Sequence, residues 1–179
     1  MSDRANSGRL AVENLRREFD RSFQAPPGAT EENHESLVTI RVAGEALAVR
    51  TRDITEVARH TRIVPVPTRV PGLLGITAIR GALFPVYDLA ALLGFPPAAG
   101  LGSWLMLTNR ETPVGLAFDE LEARVEISRA CLYGGEPSLA RAHLRLVARL
   151  EAGHRAVVDI PGIVEQIRKT AGVLEPVKE

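Results

Sequence analysis

Neither sign of charge prevails in this sequence: 22 basic side chains face 22 acidic ones, leaving no net charge and a pI near 6.9. Proteins that grip nucleic acid carry a basic surplus to offset phosphate. No segment here holds a basic run, so nucleic acid and anionic membrane are not expected as partners. Cysteine is nearly absent. Cys131 alone excludes an intrachain disulfide and a cysteine metal cluster. The four histidines, His34, His60, His143 and His154, lie far apart without a His-x-x-His spacing, so no metal site is expected. Long apolar runs are missing too. The most apolar stretch, residues 73–106, is broken by Arg80, Asp88 and several prolines and glycines. It cannot supply the roughly 20 apolar residues of a membrane helix. The opening MSDRANSGRL lacks the apolar core of a secretion signal. The expected compartment is the cytoplasm, with no direct membrane insertion. Lysine is scarce, at Lys169 and Lys178 only. Arginine forks suit carboxylate pairing at interfaces, and a GC-rich genome produces the same bias.

What is present fits a folded protein: 45% apolar and 25% charged residues over 179 positions, enough for one compact domain with a short extension. Residues 9–23 place Val12, Leu15, Phe19 and Phe23 on one helical face. That helix is near the marginal length for isolation and needs a surface, on its own domain or on a partner. Residues 24–35, with Pro26, Pro27, Gly28 and three glutamates, read as a flexible linker. Strands are expected over 37–42 and 46–49 around a turn at 43–45. Residues 54–58 are ambiguous between strand and helix, and 63–66 read as a short strand bounded by prolines. Two strands within 72–86 turn at Arg80-Gly81. Asp88 is placed to cap a short helix over 89–93 that Gly94 and Pro96 stop. Further strands are expected at 104–108, 114–118 and 121–127, with 128–143 irregular or helical. A last hairpin joins 146–150 to 156–158, a helix closes the domain over 160–169, and the tail from 170 is loose. About ten short strands with close turns point to small β-barrels.

Three segments end an apolar pair in aspartate: Asp88, Asp119 and Asp159. Paired carboxylates can perform acid–base chemistry. An enzyme built on them needs two within about 10 Å. Asp88 and Asp159, however, each precede an expected helix, where a carboxylate caps free N–H groups. Cys131 has no neighbouring histidine and reads as a small buried hydrophobe. Gly72-x-x-Gly75 lacks the lysine of a phosphate loop and reads as a turn.

The richest stretch is Val64-Pro65-Val66-Pro67, then Val70-Pro71-Gly72-Leu73-Leu74-Gly75-Ile76, then Ile79-Arg80-Gly81-Ala82-Leu83-Phe84-Pro85-Val86-Tyr87-Asp88-Leu89, then Leu92-Leu93-Gly94. It resembles the signature of CheW-like chemotaxis coupling domains, Gly-x-x-Asn-x-Arg-Gly-x-x-x-Pro-x-x-Asp-Leu ending in a short helix with Leu-Gly. Asp53-Ile54-Thr55-Glu56-Val57, Val114-Gly115-Leu116-Ala117-Phe118-Asp119 and Ala156-Val157-Val158-Asp159-Ile160 resemble further family segments, so the likeness runs from about Leu37 to Ile167. It implies a mainly β fold of two SH3-like five-stranded β-barrels with short helices, over residues 36–169. Residues 1–35 would form a helical extension and linker, and 170–179 a tail. It implies no catalysis and no cofactor. The implied role is a scaffold bridging the cytoplasmic tips of methyl-accepting chemoreceptors to the regulatory domain of a CheA-type histidine kinase, recruited to membrane-associated receptor arrays.

Carried over residue by residue, Glu56 and Arg80 match a pair associated with the binding surfaces, with a simple structural ion pair as the alternative. Ile54 and Val57 offer either an apolar docking edge or ordinary core. Gly81 and Val86 complete the candidate protein-binding set. Gly75, Pro85, Asp88 and Asp159 are expected to shape turns and caps. Two positions depart from the family pattern. Ala78 stands in place of asparagine, and Leu146 in place of glycine. With the extension, these departures fit a second reading, an accessory module that binds or localises a kinase complex without standard receptor coupling.

Overall fold

The computed structural model describes residues 33–59, 62–96, 102–108, 113–134 and 143–171. The chain divides into two units, Met1–His34 and Glu35–Glu179. The elements below belong to the second, except that the first strand starts on His34. The expected helix at 9–23 lies outside the described residues.

Alternation of period two builds the first hairpin. β1 (His34–Val42) pairs antiparallel with β2 (Glu45–Arg50), Val42 opposite Glu45. Val38, Ile40 and Val42, with Leu47 and Val49, face one core, while Leu37 and Ala48 face another. A 3-10 turn, Thr51–Asp53, leads into β3 (Ile54–Arg59), which resolves the ambiguous segment as a strand. β4 (Leu73–Ile79) and β5 (Ala82–Asp88) form the hairpin expected around Arg80-Gly81. α1 (Leu89–Leu92) follows. Then come β6 (Trp104–Thr108), β7 (Gly115–Phe118), β8 (Glu120–Ser128), β9 (Leu132–Gly134), β10 (Leu144–Leu150), β11 (Gly153–Val158) and α2 (Ile160–Ala171).

The strands form a six-stranded sheet, β8-β1-β2-β11-β10-β9, and a five-stranded sheet, β3-β6-β7-β5-β4. One parallel contact completes each: β11 on β2, and β5 on β7. The main core is shared by both sheets and both helices, through residues such as Ile40, Val49, Tyr87, Leu89, Leu116, Phe118, Ile160 and Ile163. Each sheet also covers a small core on its other face. Leu37, Ala48, Ala148 and Val157 serve the six-stranded sheet; Val86, Leu105, Leu107 and Ala117 serve the five-stranded one. Strand residues therefore bury on both faces, which explains near-continuous apolar runs such as 114–118.

Four segments differ from expectation. Residues 63–66 form only an isolated bridge, Val64 to Ile76, because Pro65 and Pro67 cannot donate to a ladder. Residues 132–134, read as irregular or helical, form β9. The last turn is tighter than 151–155, since β11 already begins at Gly153. The linker ends early: Glu35 is buried within β1, its carboxylate 3.4 Å from Arg52 and 3.8 Å from Arg129. A glutamate reads as solvated until the arginines that bury it are known. Cys131 ends a 3-10 turn, Arg129–Cys131, and is half-buried rather than buried.

Candidate functional site

The site is assembled at the turn of the β4–β5 hairpin. Arg80 and Gly81 are the two turn residues, and both adopt positive φ, 49° and 81°. A two-residue hairpin turn twisted to match its strands requires this at both positions. Glycine takes it freely, whereas arginine is held there at a cost. From that turn the Arg80 guanidinium donates through Nη2 to Glu56 Oε1 at 3.1 Å. Glu56 lies on β3, at the opposite end of the same sheet, so the pair links that strand to the β4–β5 turn. Arg80's side chain is 81% exposed and Glu56's 26%.

Two residues past the turn, Leu83 stands directly opposite Ala78 across the hairpin, and both are exposed, Leu83 to 69%. On β3, the Arg59 guanidinium lies 5.2 Å from the Trp104 ring centroid, a cation–π contact. The hairpin end thus presents an exposed cation and exposed apolar side chains, features suited to protein docking.

The expected site residues separate on this geometry. Glu56, Arg80 and Gly81 come together at the exposed turn. Ile54 and Val57 are half-buried and pack against the main core, so they support β3 from beneath. Val86 is a correction: it is fully buried in the core of the five-stranded sheet and presents nothing to a partner. Its even-numbered position puts it on the inward face with Phe84. Leu83, which sequence reasoning passed over, takes the other face at the strand's far end, beyond the main core. The register set by Arg80-Gly81 is the signal that could have found it.

The turn and cap residues have clear local causes. At Gly75, φ is +150° and a Cβ would stand 2.2 Å from the Val64 carbonyl oxygen, so only glycine permits the bridge to residue 64. Pro85 sits just before β5 begins pairing with β7 at Val86, where its missing N–H is tolerated. Each of the three aspartates receives a backbone amide. Asp88 Oδ1 accepts from Ala90 N at 2.9 Å, Asp119 Oδ2 from Ala43 N at 2.6 Å, and Asp159 Oδ1 from Gly162 N at 3.2 Å. Asp119 thereby ties the β7–β8 corner to the β1–β2 turn; Asp88 and Asp159 cap the starts of α1 and α2. Just before β3, burial pushes the Asp53 carboxyl above its ordinary value, against the pull of Arg50 and Arg52.

The family profile for the CheW-like domain matches residues 36–168. The chain belongs to the CheW-like domain family. CheW-like proteins form a family of chemotaxis scaffolds and adaptors. A probable chemotaxis protein CheW from Rhizobium etli is 29% identical over 85 residues, which cover 46% of this chain and 55% of that protein. The chain thus spans about half the length of the curated relative it matches. The crystal structure of the scaffolding protein TtCheW from Thermoanaerobacter tengcongensis superposes with a TM-score of 0.63, at 19% identity, over 70% of this chain and 88% of that one. At that identity the likeness establishes the CheW fold: mainly β, two sheets, few helices. No helix among the described residues is long and apolar enough to cross a membrane.

Proposed function

We propose that this chain is a non-enzymatic scaffold coupling the cytoplasmic tips of methyl-accepting chemoreceptors to the regulatory domain of a CheA-type histidine kinase. The observation that carries this reading is the Glu56–Arg80 pair. It joins β3 to the β4–β5 turn and holds a mostly exposed guanidinium on the hairpin that also carries exposed Leu83. A buried ion pair would speak only for stability; an exposed arginine held in a costly backbone conformation speaks for recognition. Residues 36–169 are the coupling domain on this reading, 1–35 an appended segment and 170–179 a tail. Coupling would then be a free energy shared between two interfaces, placing the scaffold in the cytoplasm at receptor arrays.

The test is binding of the full chain to the purified regulatory domain of a CheA-type kinase and to a receptor's cytoplasmic fragment, with Arg80→Ala alongside. Simultaneous binding of both, weakened by the variant while its fold persists, supports coupling. Binding to neither removes the proposal.

A second reading has its own observation. Ala78, exposed opposite Leu83, replaces a polar family side chain and widens the apolar surface. An accessory module that binds or localises a kinase complex without standard receptor coupling would use such a face. Kinase binding without any receptor binding would select it.

A further inference from the structure

At the opposite sheet, two arginines line one cavity. Arg50 ends β2 on the same face as Ala48, over the small core of the six-stranded sheet. It is half-buried, and its Nε is fully buried without an acceptor from the protein. Arg145 lies on β10 where the register against β11 shifts between Leu144 and Leu146, leaving it without a cross-strand partner. Such an irregularity bends the strand and re-aims the side chain. Both residues line one cavity of about 290 Å³, with Leu146, Val157, Val158 and Asp159 as the remaining wall. Among the described residues, neither guanidinium forms an ion pair within 4.0 Å.

Two cations therefore face one lining acid, and Asp159 is already engaged by the Gly162 amide. Asp53, close enough to Arg50 for their charges to interact, also has a buried oxygen, Oδ2, without a donor. A guanidinium presents parallel N–H donors that match the oxygens of a carboxylate or phosphate. A buried donor without an acceptor is destabilising, and an incoming oxyanion would relieve it. We infer that this cavity binds a small oxyanion, a carboxylate or a phosphate, between Arg50 and Arg145. The apolar wall of Leu146, Val157 and Val158 leaves room for an attached hydrocarbon rather than for further polar groups. The site lies on the other sheet from the Glu56–Arg80 face and is independent of the proposed coupling.

The experiment is a titration of the nitrogen-15-labelled full chain with sodium succinate and, separately, sodium phosphate, with sodium chloride at matched ionic strength as reference. The readout is the Arg50 Nε–H resonance, assigned by its loss in Arg50→Lys. A saturable shift with succinate identifies a carboxylate site, and with phosphate a phosphate site. Arg145→Ala should weaken that binding about tenfold, the worth of one charge-assisted hydrogen bond. Arg69→Ala, an exposed arginine ahead of β4, should leave it unchanged. Shifts no larger than those from chloride, or an affinity untouched by Arg145→Ala, overturn the inference. Should Arg50→Lys not fold, the Arg145→Ala comparison is read instead on backbone amides around Leu146 and Val158, with the same two outcomes.

Discussion

Arg80 and Glu56 meet at 3.1 Å although the β4–β5 turn and β3 lie toward opposite ends of the five-stranded sheet. The contact spans from β3 to the β4–β5 turn, yet its energetic worth is small. An ion pair this exposed contributes about 0–1 kcal/mol, and Arg80 offsets part of that by its positive φ of 49°.

Replacing Arg80 with glycine separates fold from recognition. Glycine relieves the backbone strain but loosens the unfolded chain, two effects of about 0.5–1 kcal/mol each and opposite sign. With the ion pair lost as well, the net stability change should stay below about 1 kcal/mol in urea unfolding. Affinity for the kinase regulatory domain should fall about tenfold or more, as for an exposed arginine anchor. A large loss of stability with unchanged affinity would make the pair a brace and nothing else.

Gly75→Ala should act in the opposite way. The added methyl would sit 2.2 Å from the Val64 carbonyl oxygen and close to Pro65, at a φ of +150°. Backbone cannot yield there without breaking the hydrogen bonds between Val64 and Ile76, at 2.7 and 2.9 Å. We expect a loss of about 3 kcal/mol or more, from combined strain and lost bonds. Hydrogen exchange should show faster opening at Ile76 than at Val49. A loss under about 1 kcal/mol would mean that the segment before β4 shifts freely.

How far the sequence could be read follows from which forces are local. The β4–β5 hairpin is legible because Arg80-Gly81 is a turn signal between apolar runs, and turn length fixes register. Asp88 and α1 are legible for the same reason, since a cap acts within three residues. The Glu56–Arg80 contact is legible only through family likeness, because nothing local links β3 to the β4–β5 turn. Three features escape such a reading. Glu35 looks solvated because its two arginine partners, Arg52 and Arg129, come from distant segments. β9 has three residues, too few for a period to show. Val86 passes for a surface residue because a strand buried on both faces shows no polar alternation to mark its inward side.

Asp53 gives the fold a pH signature. Burial is the larger cause and raises its folded-state pKa above the ordinary 3.8, over the opposing pull of Arg50 and Arg52. The folded state thus holds the proton more tightly than the unfolded one. Its contribution is fully present below the unfolded value and lost as pH rises through the folded value. Asp53→Asn cannot ionise, so its stability relative to the parent should improve between about pH 3 and about pH 7. Urea unfolding at both values measures this. A difference that stays constant, or that favours the parent more at neutral pH, would show that the arginines outweigh burial.

Leu83 and Val86 lie three residues apart on one strand and should fail in different assays. Leu83 is 69% exposed and Val86 fully buried against Leu105, Leu107 and Ala117. Leu83→Asp removes an apolar side chain from the surface, where substitutions shift stability by about 0.5 kcal/mol at most. If the hairpin face docks the kinase, that change should abolish measurable binding, because a carboxylate would be desolvated in the interface. Val86→Ala instead opens a cavity and should cost about 2 kcal/mol, with affinity unchanged once the protein is folded. Calorimetric titration and urea unfolding of both variants decide the matter. Undiminished binding by Leu83→Asp would move the docking surface away from this hairpin, leaving Arg80 as a closing contact of the sheet.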